Sequence, residues 1–194
     1  MSKKVGVLAL QGDFLEHKQA LHKLGVEVAE VRLPEQLNDL DGLIIPGGES
    51  TTIARLMDIF HIREPLKQRI ASGMAVWGTC AGMIMLAKRL KEPDPTPLGV
   101  MDIEVTRNAY GRQIDSFETD LLISALGEKP FHAIFIRAPK VISVGKAVEV
   151  LASTDQGGPV AIRQGKIVAT SFHPELTEDT RLHSMFLEIA NGKA

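Results

Sequence analysis

Cysteine is nearly absent: Cys80 stands alone in 194 residues. One thiol cannot close an internal disulfide, so the chain is no disulfide scaffold, and a reducing cytoplasm is the expected compartment. Aromatic side chains are also scarce, with one Trp and one Tyr, which leaves little for a base-stacking platform. Neither sign of charge dominates: the formal net charge is -2, whereas a nucleic-acid footprint is strongly basic. No apolar run is long enough to span a bilayer. The charged opening Met1-Ser2-Lys3-Lys4 leads only into a short strand-like run, without the apolar core and cleavage site of a secretion signal. Nucleic-acid and membrane partners are therefore not expected. His17, His22, His61, His132 and His183 show no metal-ligand spacing; His17 and His22 are five apart, not the i, i+4 zinc pair. No metal or cofactor is expected.

What is present suits one compact domain over residues 1–194: 44% hydrophobic and 24% charged residues. Val5 to Leu10, Val26 to Val31, Leu43 to Ile45 and Met74 to Trp77 are short apolar runs that read as buried strands. Helical segments separate them: Phe14 to Leu24 with Asp13 as cap and Gly25 as stop, Ile53 to Phe60, and Glu64 to Ala71. That alternation predicts an α/β fold of three layers, a mostly parallel central sheet with helices on both faces. Beyond the proline-rich loop Lys91 to Pro97 the texture changes. Met101 to Thr106, Ser116 to Leu122, Phe131 to Ile136, Val141 to Val144, Val148 to Ser153, Val160 to Gln164 and Lys166 to Thr170 read as strands, partly antiparallel. Turns are expected at Asp155-Gln156-Gly157-Gly158 and at Gly165, and an amphipathic helix over Thr180 to Asn191.

The chemistry concentrates at Gly78-Thr79-Cys80-Ala81-Gly82. A strand leads in and a helix-like run, Met83 to Ala87, leads out, which is the layout of a nucleophile elbow with Cys in place of Ser. A tight turn lifts the sulfur off the end of the sheet, and the unpaired N–H groups of the following helix favour thiolate over thiol. A lone Cys is also often a small buried hydrophobe. The stronger sign is Ser171-Phe172-His173-Pro174-Glu175. A thiol nucleophile needs a base, and the base needs a group to orient it. His173 and Glu175, two apart in an extended segment, project to one side, with Pro174 stiffening the backbone between them.

Two further places stand out. Pro46-Gly47-Gly48-Glu49-Ser50 follows the third strand, where glycine N–H groups can serve an oxyanion and Ser50 or Thr51 can cap the next helix. A phosphate loop would need a Gly-Lys-Ser/Thr that is missing, and an ordinary turn is the plain alternative. Arg107 and Arg137 each follow a strand-like run and are suited to clamping a carboxylate. Gln11, Gly48 and Cys80 all fall just past strand carboxyl ends, the rim where ligands of such sheets collect.

With these motifs together the chain resembles the triad (class I) glutamine amidotransferases, and among them the glutaminase subunits of pyridoxal 5′-phosphate synthases. Further markers are Leu10-Gln11-Gly12, Arg55-Leu56, Arg107-Asn108 with Gly111-Arg112-Gln113, Asp115 to Glu118, Phe135 to Pro139 and His173 to Thr177. The resemblance implies a flavodoxin-like class I glutamine amidotransferase fold. It also implies hydrolysis of L-glutamine to glutamate and ammonia by Cys80, His173 and Glu175 through a γ-glutamyl thioester. The oxyanion hole would be the N–H groups of Gly48 and Ala81. The glutamine contacts would be Gly48, Glu49, Ser50, Arg107, Ile136 and Arg137, with Glu49 suited to the substrate ammonium. The implied partner is a pyridoxal 5′-phosphate synthase subunit, in a large hetero-oligomer through which ammonia is channelled. The alternatives are a glutaminase serving another synthase, a related cysteine hydrolase or peptidase, and a non-catalytic flavodoxin-like binding module.

Overall fold

The computed structural model describes residues 4–107, 116–155 and 158–192. Asn108, the Gly111-Arg112-Gln113 motif, Asp115 and the expected turn residues Gln156 and Gly157 lie outside the described residues.

The first half alternates as the apolar runs predict. Strand β1 (Val5–Leu8) is followed by helix α1 (Phe14–Lys23), β2 (Val28–Val31), a 3₁₀ turn over Pro34–Leu37, and β3 (Gly42–Ile45). Helices α2 (Ser50–Ile59) and α3 (Arg63–Ala71) then lead to β4 (Ala75–Thr79) and α4 (Ala81–Leu86). The second half contributes β5 (Ala87–Leu90), β6 (Met101–Thr106), β7 (Ser116–Leu121), β8 (Phe131–Ile136), β9 (Lys140–Val144), β10 (Glu149–Thr154), β11 (Gly158–Gln164) and β12 (Ile167–Thr170). A 3₁₀ turn over Pro174–Leu176 and helix α5 (Arg181–Ala190) follow.

The central sheet runs β10-β11-β12-β4-β3-β1-β2. The pairs β2–β1, β1–β3, β3–β4 and β4–β12 are parallel, while β11 and β10 extend the edge in antiparallel fashion. The strands are apolar on both faces because both are covered. Val76, Leu43 and Ile45 join Ile53, Met57, Leu66 and Met83 in one core, while Ala75, Trp77 and Ile44 join Leu21, Leu182 and Phe186 in the other. Alternation along a strand thus sends successive residues into opposite layers. The expected three-layer α/β architecture is the one observed.

Register decides where the segments carrying the candidate residues emerge. Ile45 pairs with Gly78, and Thr79 with Thr170, so the chain leaves β3, β4 and β12 at one level. Two smaller sheets, β5-β6-β9 and β7-β8, complete the fold. The backbone N–H of His173 donates to the carbonyl of Ile134 in β8 (2.8 Å), which ties the β7-β8 pair to the rim.

Two local expectations change. The helix after the elbow stops at Leu86, and Ala87–Leu90 is a strand. The N–H groups of Leu98, Gly99 and Val100 capture the carbonyls of Met85, Ala87 and Leu86 at 2.7–3.2 Å, so the helical hydrogen bonds give way to sheet. Helix α2 is capped not by Ser50 or Thr51 but by Glu49, whose carboxylate accepts the N–H groups of Thr51 and Thr52.

Candidate active site

Cys80 sits at the turn between β4 and α4 with φ 48° and ψ -105°, a backbone conformation costly for a residue with a Cβ. Hydrogen bonds hold it there. Its N–H donates to the Thr170 carbonyl at 2.8 Å, and its own carbonyl accepts the N–H of Met83 at 3.0 Å. The turn also depends on Gly82, where an added Cβ would lie 2.0 Å from the carbonyl oxygen of Ile45 in β3. The elbow is therefore seated directly against the neighbouring strand.

The Cys80 sulfur lies 3.7 Å from the carbonyl oxygen of Ile136 and borders a cavity of about 420 Å³. Gly48, Glu49, Ser50, Ala81, Arg107, Ile136, Arg137 and His173 line the same cavity. The elbow, the glycine loop, both arginines and His173 are thus brought to one place; Glu175 stands behind His173, and Gln11 lies outside the cavity lining, against the Glu49 N–H.

His173 follows β12 and is almost wholly buried. Its Nδ1 lies 2.7 Å from Glu175 Oε1 and 3.4 Å from Asp13 Oδ2. Burial opposes a charge on the imidazole, but hydrogen bonding to Asp13, to the Cys80 sulfur and to Glu175 outweighs it, and the pKa of His173 is raised well above the ordinary 6.5. The opposite holds at Glu175, where burial dominates and pushes the carboxyl up against the pull of His173. The site therefore favours a charged imidazole beside the sulfur. The approach of the glycine loop is equally close. A Cβ on Gly47 would fall 2.5 Å from His173 Cε1, so only glycine leaves the ring its position.

Glu49 and Arg107 are already engaged. Burial works against the Glu49 charge, yet the hydroxyl and backbone donors of Thr51 and Thr52 hold its carboxyl down at about 2. Arg107 Nη2 lies 3.3 Å from Glu49 Oε1, and Nη1 donates to the Asp94 carbonyl at 2.8 Å. Arg137 has φ 46°, and among the described residues its side chain has no ion-pair partner. Gln11 Oε1 accepts the N–H of Glu49 at 2.8 Å, so Gln11 braces the loop that carries Gly48. Asp13, His173 and Glu175 offer ligand atoms within 4.8 Å of one another. A cation there would compete for the His173 nitrogen that Glu175 already holds.

A thiol at an elbow, a histidine with a carboxylate behind it and a glycine loop opposite can perform acyl transfer from a small amide. A model of the SNO glutamine amidotransferase family matches residues 7–191. The chain belongs to that family. Relatives of this SNO-family chain include proteins named pyridoxal 5′-phosphate synthase subunit PdxT. The one from Herpetosiphon aurantiacus is 60% identical over 186 residues, covering 94% of this chain and 98% of the relative. The one from Thermotoga maritima is 56% identical, covering 96% and 98%. A crystal structure of a glutamine amidotransferase superposes with a TM-score of 0.91 at 53% identity, covering 96% of this chain and 98% of that one. The structure of PurLQS from Thermotoga maritima shares the fold, with a TM-score of 0.72 at 15% identity over 97% of this chain and 99% of that one.

Three polar residues near His173 were given no site role from sequence. Asp13 was expected to cap α1, but it makes no side-chain cap bond and turns to His173 instead. His17 and His183 are fully buried behind Glu175. The signal for His17 was its place three and four residues before Ala20 and Leu21, on the buried stripe of α1. His183 likewise sits between Leu182 and the apolar residues of the α5 face.

Proposed function

We propose that this chain is the glutaminase subunit of a pyridoxal 5′-phosphate synthase, acting as a single domain over residues 1–194. It hydrolyses L-glutamine to L-glutamate and ammonia and passes the ammonia to a synthase subunit within a hetero-oligomer. The observation that carries the reading is the Glu175–His173 hydrogen bond of 2.7 Å, standing beside Cys80 in a cavity walled by the glycine loop and two arginines. The near full-length similarity to proteins named PdxT supports the choice of synthase.

The Cys80 thiolate attacks the side-chain amide carbon of glutamine. The tetrahedral oxyanion is met by the N–H groups of Gly48 and Ala81, and losing one such donor typically costs about 3 kcal/mol of barrier. His173, carrying the proton that left the thiol, delivers it to the departing ammonia, and the γ-glutamyl thioester remains on Cys80. His173 then takes a proton from water, which attacks the thioester and releases glutamate. Glu175 holds the imidazole in line and balances its charge. Arg107 and Arg137 are suited to the substrate carboxylate and Glu49 to its ammonium, with Ser50 and Ile136 completing the wall. Gln11 gives docking of a synthase a route to the Gly48 loop.

The test is ammonia release from L-glutamine, with and without a pyridoxal 5′-phosphate synthase subunit, beside Cys80→Ala. Release that needs Cys80 and rises with the synthase is expected. Release indifferent to the synthase would retain the triad but overturn the choice of partner. No release, with the synthase bound, would overturn the glutaminase reading.

A further inference from the structure

Behind the sulfur, buried polar side chains continue past Glu175 into the core. Glu175 Oε1 is taken by His173. Its other oxygen, Oε2, is buried, has no hydrogen bond of good geometry, and lies 3.4 Å from His17 Nε2. The same His17 Nε2 is 3.0 Å from Thr79 Oγ1, one residue before the nucleophile. On the far side, His17 Nδ1 is 3.0 Å from His183 Nε2. Trp77 closes the pair off, with its ring edge-on to both imidazoles at 5.7 and 4.9 Å. His17 is thus faced by Thr79 and Trp77 from β4, by Glu175 from the turn after β12, and by His183 from α5, with His173 beyond Glu175. It touches both arms of the site, the strand that ends at Cys80 and the carboxylate that steadies His173.

Proton placement follows from the donors available. Burial, then repulsion from neighbouring imidazoles, lowers the pKa of His17, and burial alone lowers that of His183. Both rings are therefore neutral, each with one N–H and one bare nitrogen. An ionised Glu175 only accepts, so a bare His17 Nε2 would set a lone pair against its charge. The proton belongs on His17 Nε2, bonded to Thr79 Oγ1 at 3.0 Å and facing Glu175 Oε2 at 3.4 Å. His17 Nδ1 is then an acceptor, and His183 Nε2–H is its donor. The one nitrogen left over, His183 Nδ1, is the other buried side-chain atom without a partner among the described residues. An unpaired acceptor there fits this arrangement.

We infer that His17, fixed in its Nε2–H form by His183, is a positioning residue that keeps Glu175 ionised and aligned behind His173. The inference rests on the triad roles proposed above. Without the His17 donor, Glu175 holds its charge less well, His173 loses part of its support, and the Cys80 thiolate becomes scarcer at neutral pH.

The test reads the thiol directly. Cys80 alkylation by iodoacetamide is followed against pH in the full chain, beside steady-state glutaminase kinetics. Substituting His17→Phe is expected to raise the alkylation midpoint by roughly one pH unit and to lower kcat about tenfold, with KM within about twofold, the scale of one hydrogen bond to a charged group. His17→Gln, which returns an N–H near the Nε2 position, is expected to recover most of both. A role confined to stability would lower the melting temperature without moving the alkylation midpoint. An unmoved midpoint in His17→Phe, beside a moved one in His173→Ala, overturns the inference alone. A midpoint unmoved in both overturns the triad reading with it. Should His17→Phe fail to fold, nitrogen-15 NMR of the wild-type imidazoles decides: a proton on His17 Nε2 supports the inference, and one on Nδ1 overturns it.

Discussion

Replacing Glu175 by glutamine changes one charge and almost no volume. The carbonyl of the amide can still accept from His173 Nδ1, as Glu175 Oε1 does at 2.7 Å, so the ring keeps a partner. What disappears is the charge that balances the imidazolium. Opposite charges about 4 Å apart attract by roughly 4 kcal/mol at an effective dielectric near 20. A neutral hydrogen bond retains about 1 kcal/mol of that. The remaining loss of about 3 kcal/mol corresponds to roughly a 100- to 200-fold fall in kcat. The amide matches the carboxylate in size, and Asp13 Oδ2 still lies 3.4 Å from His173 Nδ1, so the fold is expected to stand. The assay is ammonia release from L-glutamine in the presence of the synthase subunit, with kcat and KM separated and thermal unfolding run alongside. A well-folded Glu175→Gln protein whose kcat falls by less than about fivefold would refute the electrostatic role assigned to Glu175.

Further expectations rest on other parts of the structure. Substituting Gly82→Ala sets a Cβ 2.0 Å from the Ile45 carbonyl oxygen; a loss of about 2–3 kcal/mol and a fall in melting temperature of roughly 5–10 °C are expected by calorimetry. Arg137→Ala removes a cavity-lining cation with no ion-pair partner among the described residues; KM for glutamine is expected to rise about tenfold or more, with kcat little changed. Acid should destabilise the chain through the buried histidine pair. A histidine held below 6.5 binds fewer protons folded than unfolded, so its contribution is complete above pH 6.5 and is lost as pH falls, for His183 toward about 4. That amounts to about 3 kcal/mol at His183, and urea midpoints at pH 7 and 4.5 should show a slope that His183→Phe flattens.

Much of the site was legible from sequence because its chemistry is local. A cysteine between two glycines at a strand-to-helix junction, a histidine and a glutamate two apart, and a double glycine after an apolar run each declare their conformation within a few residues. The parallel strands were legible for a similar reason: apolar runs such as Leu43 to Ile45 must be covered on both faces. The strand over Ala87–Leu90 was not legible because the backbone of Leu98 to Val100, which takes the last carbonyls of the elbow helix, comes from beyond a proline-rich loop.

The sequence by itself determined which groups could be nucleophile, base and orienting acid, since those roles follow from residue type and short-range spacing. Only the tertiary structure decided what each side chain is committed to. Glu49 caps α2 and pairs with Arg107 across 58 residues of chain. Asp13 leaves its helix for His173. His17 and His183, 166 residues apart, meet behind Glu175. Such partnerships are set by the register of β3, β4 and β12 and by how α1 and α5 pack on one face of the sheet. No local pattern encodes those distances.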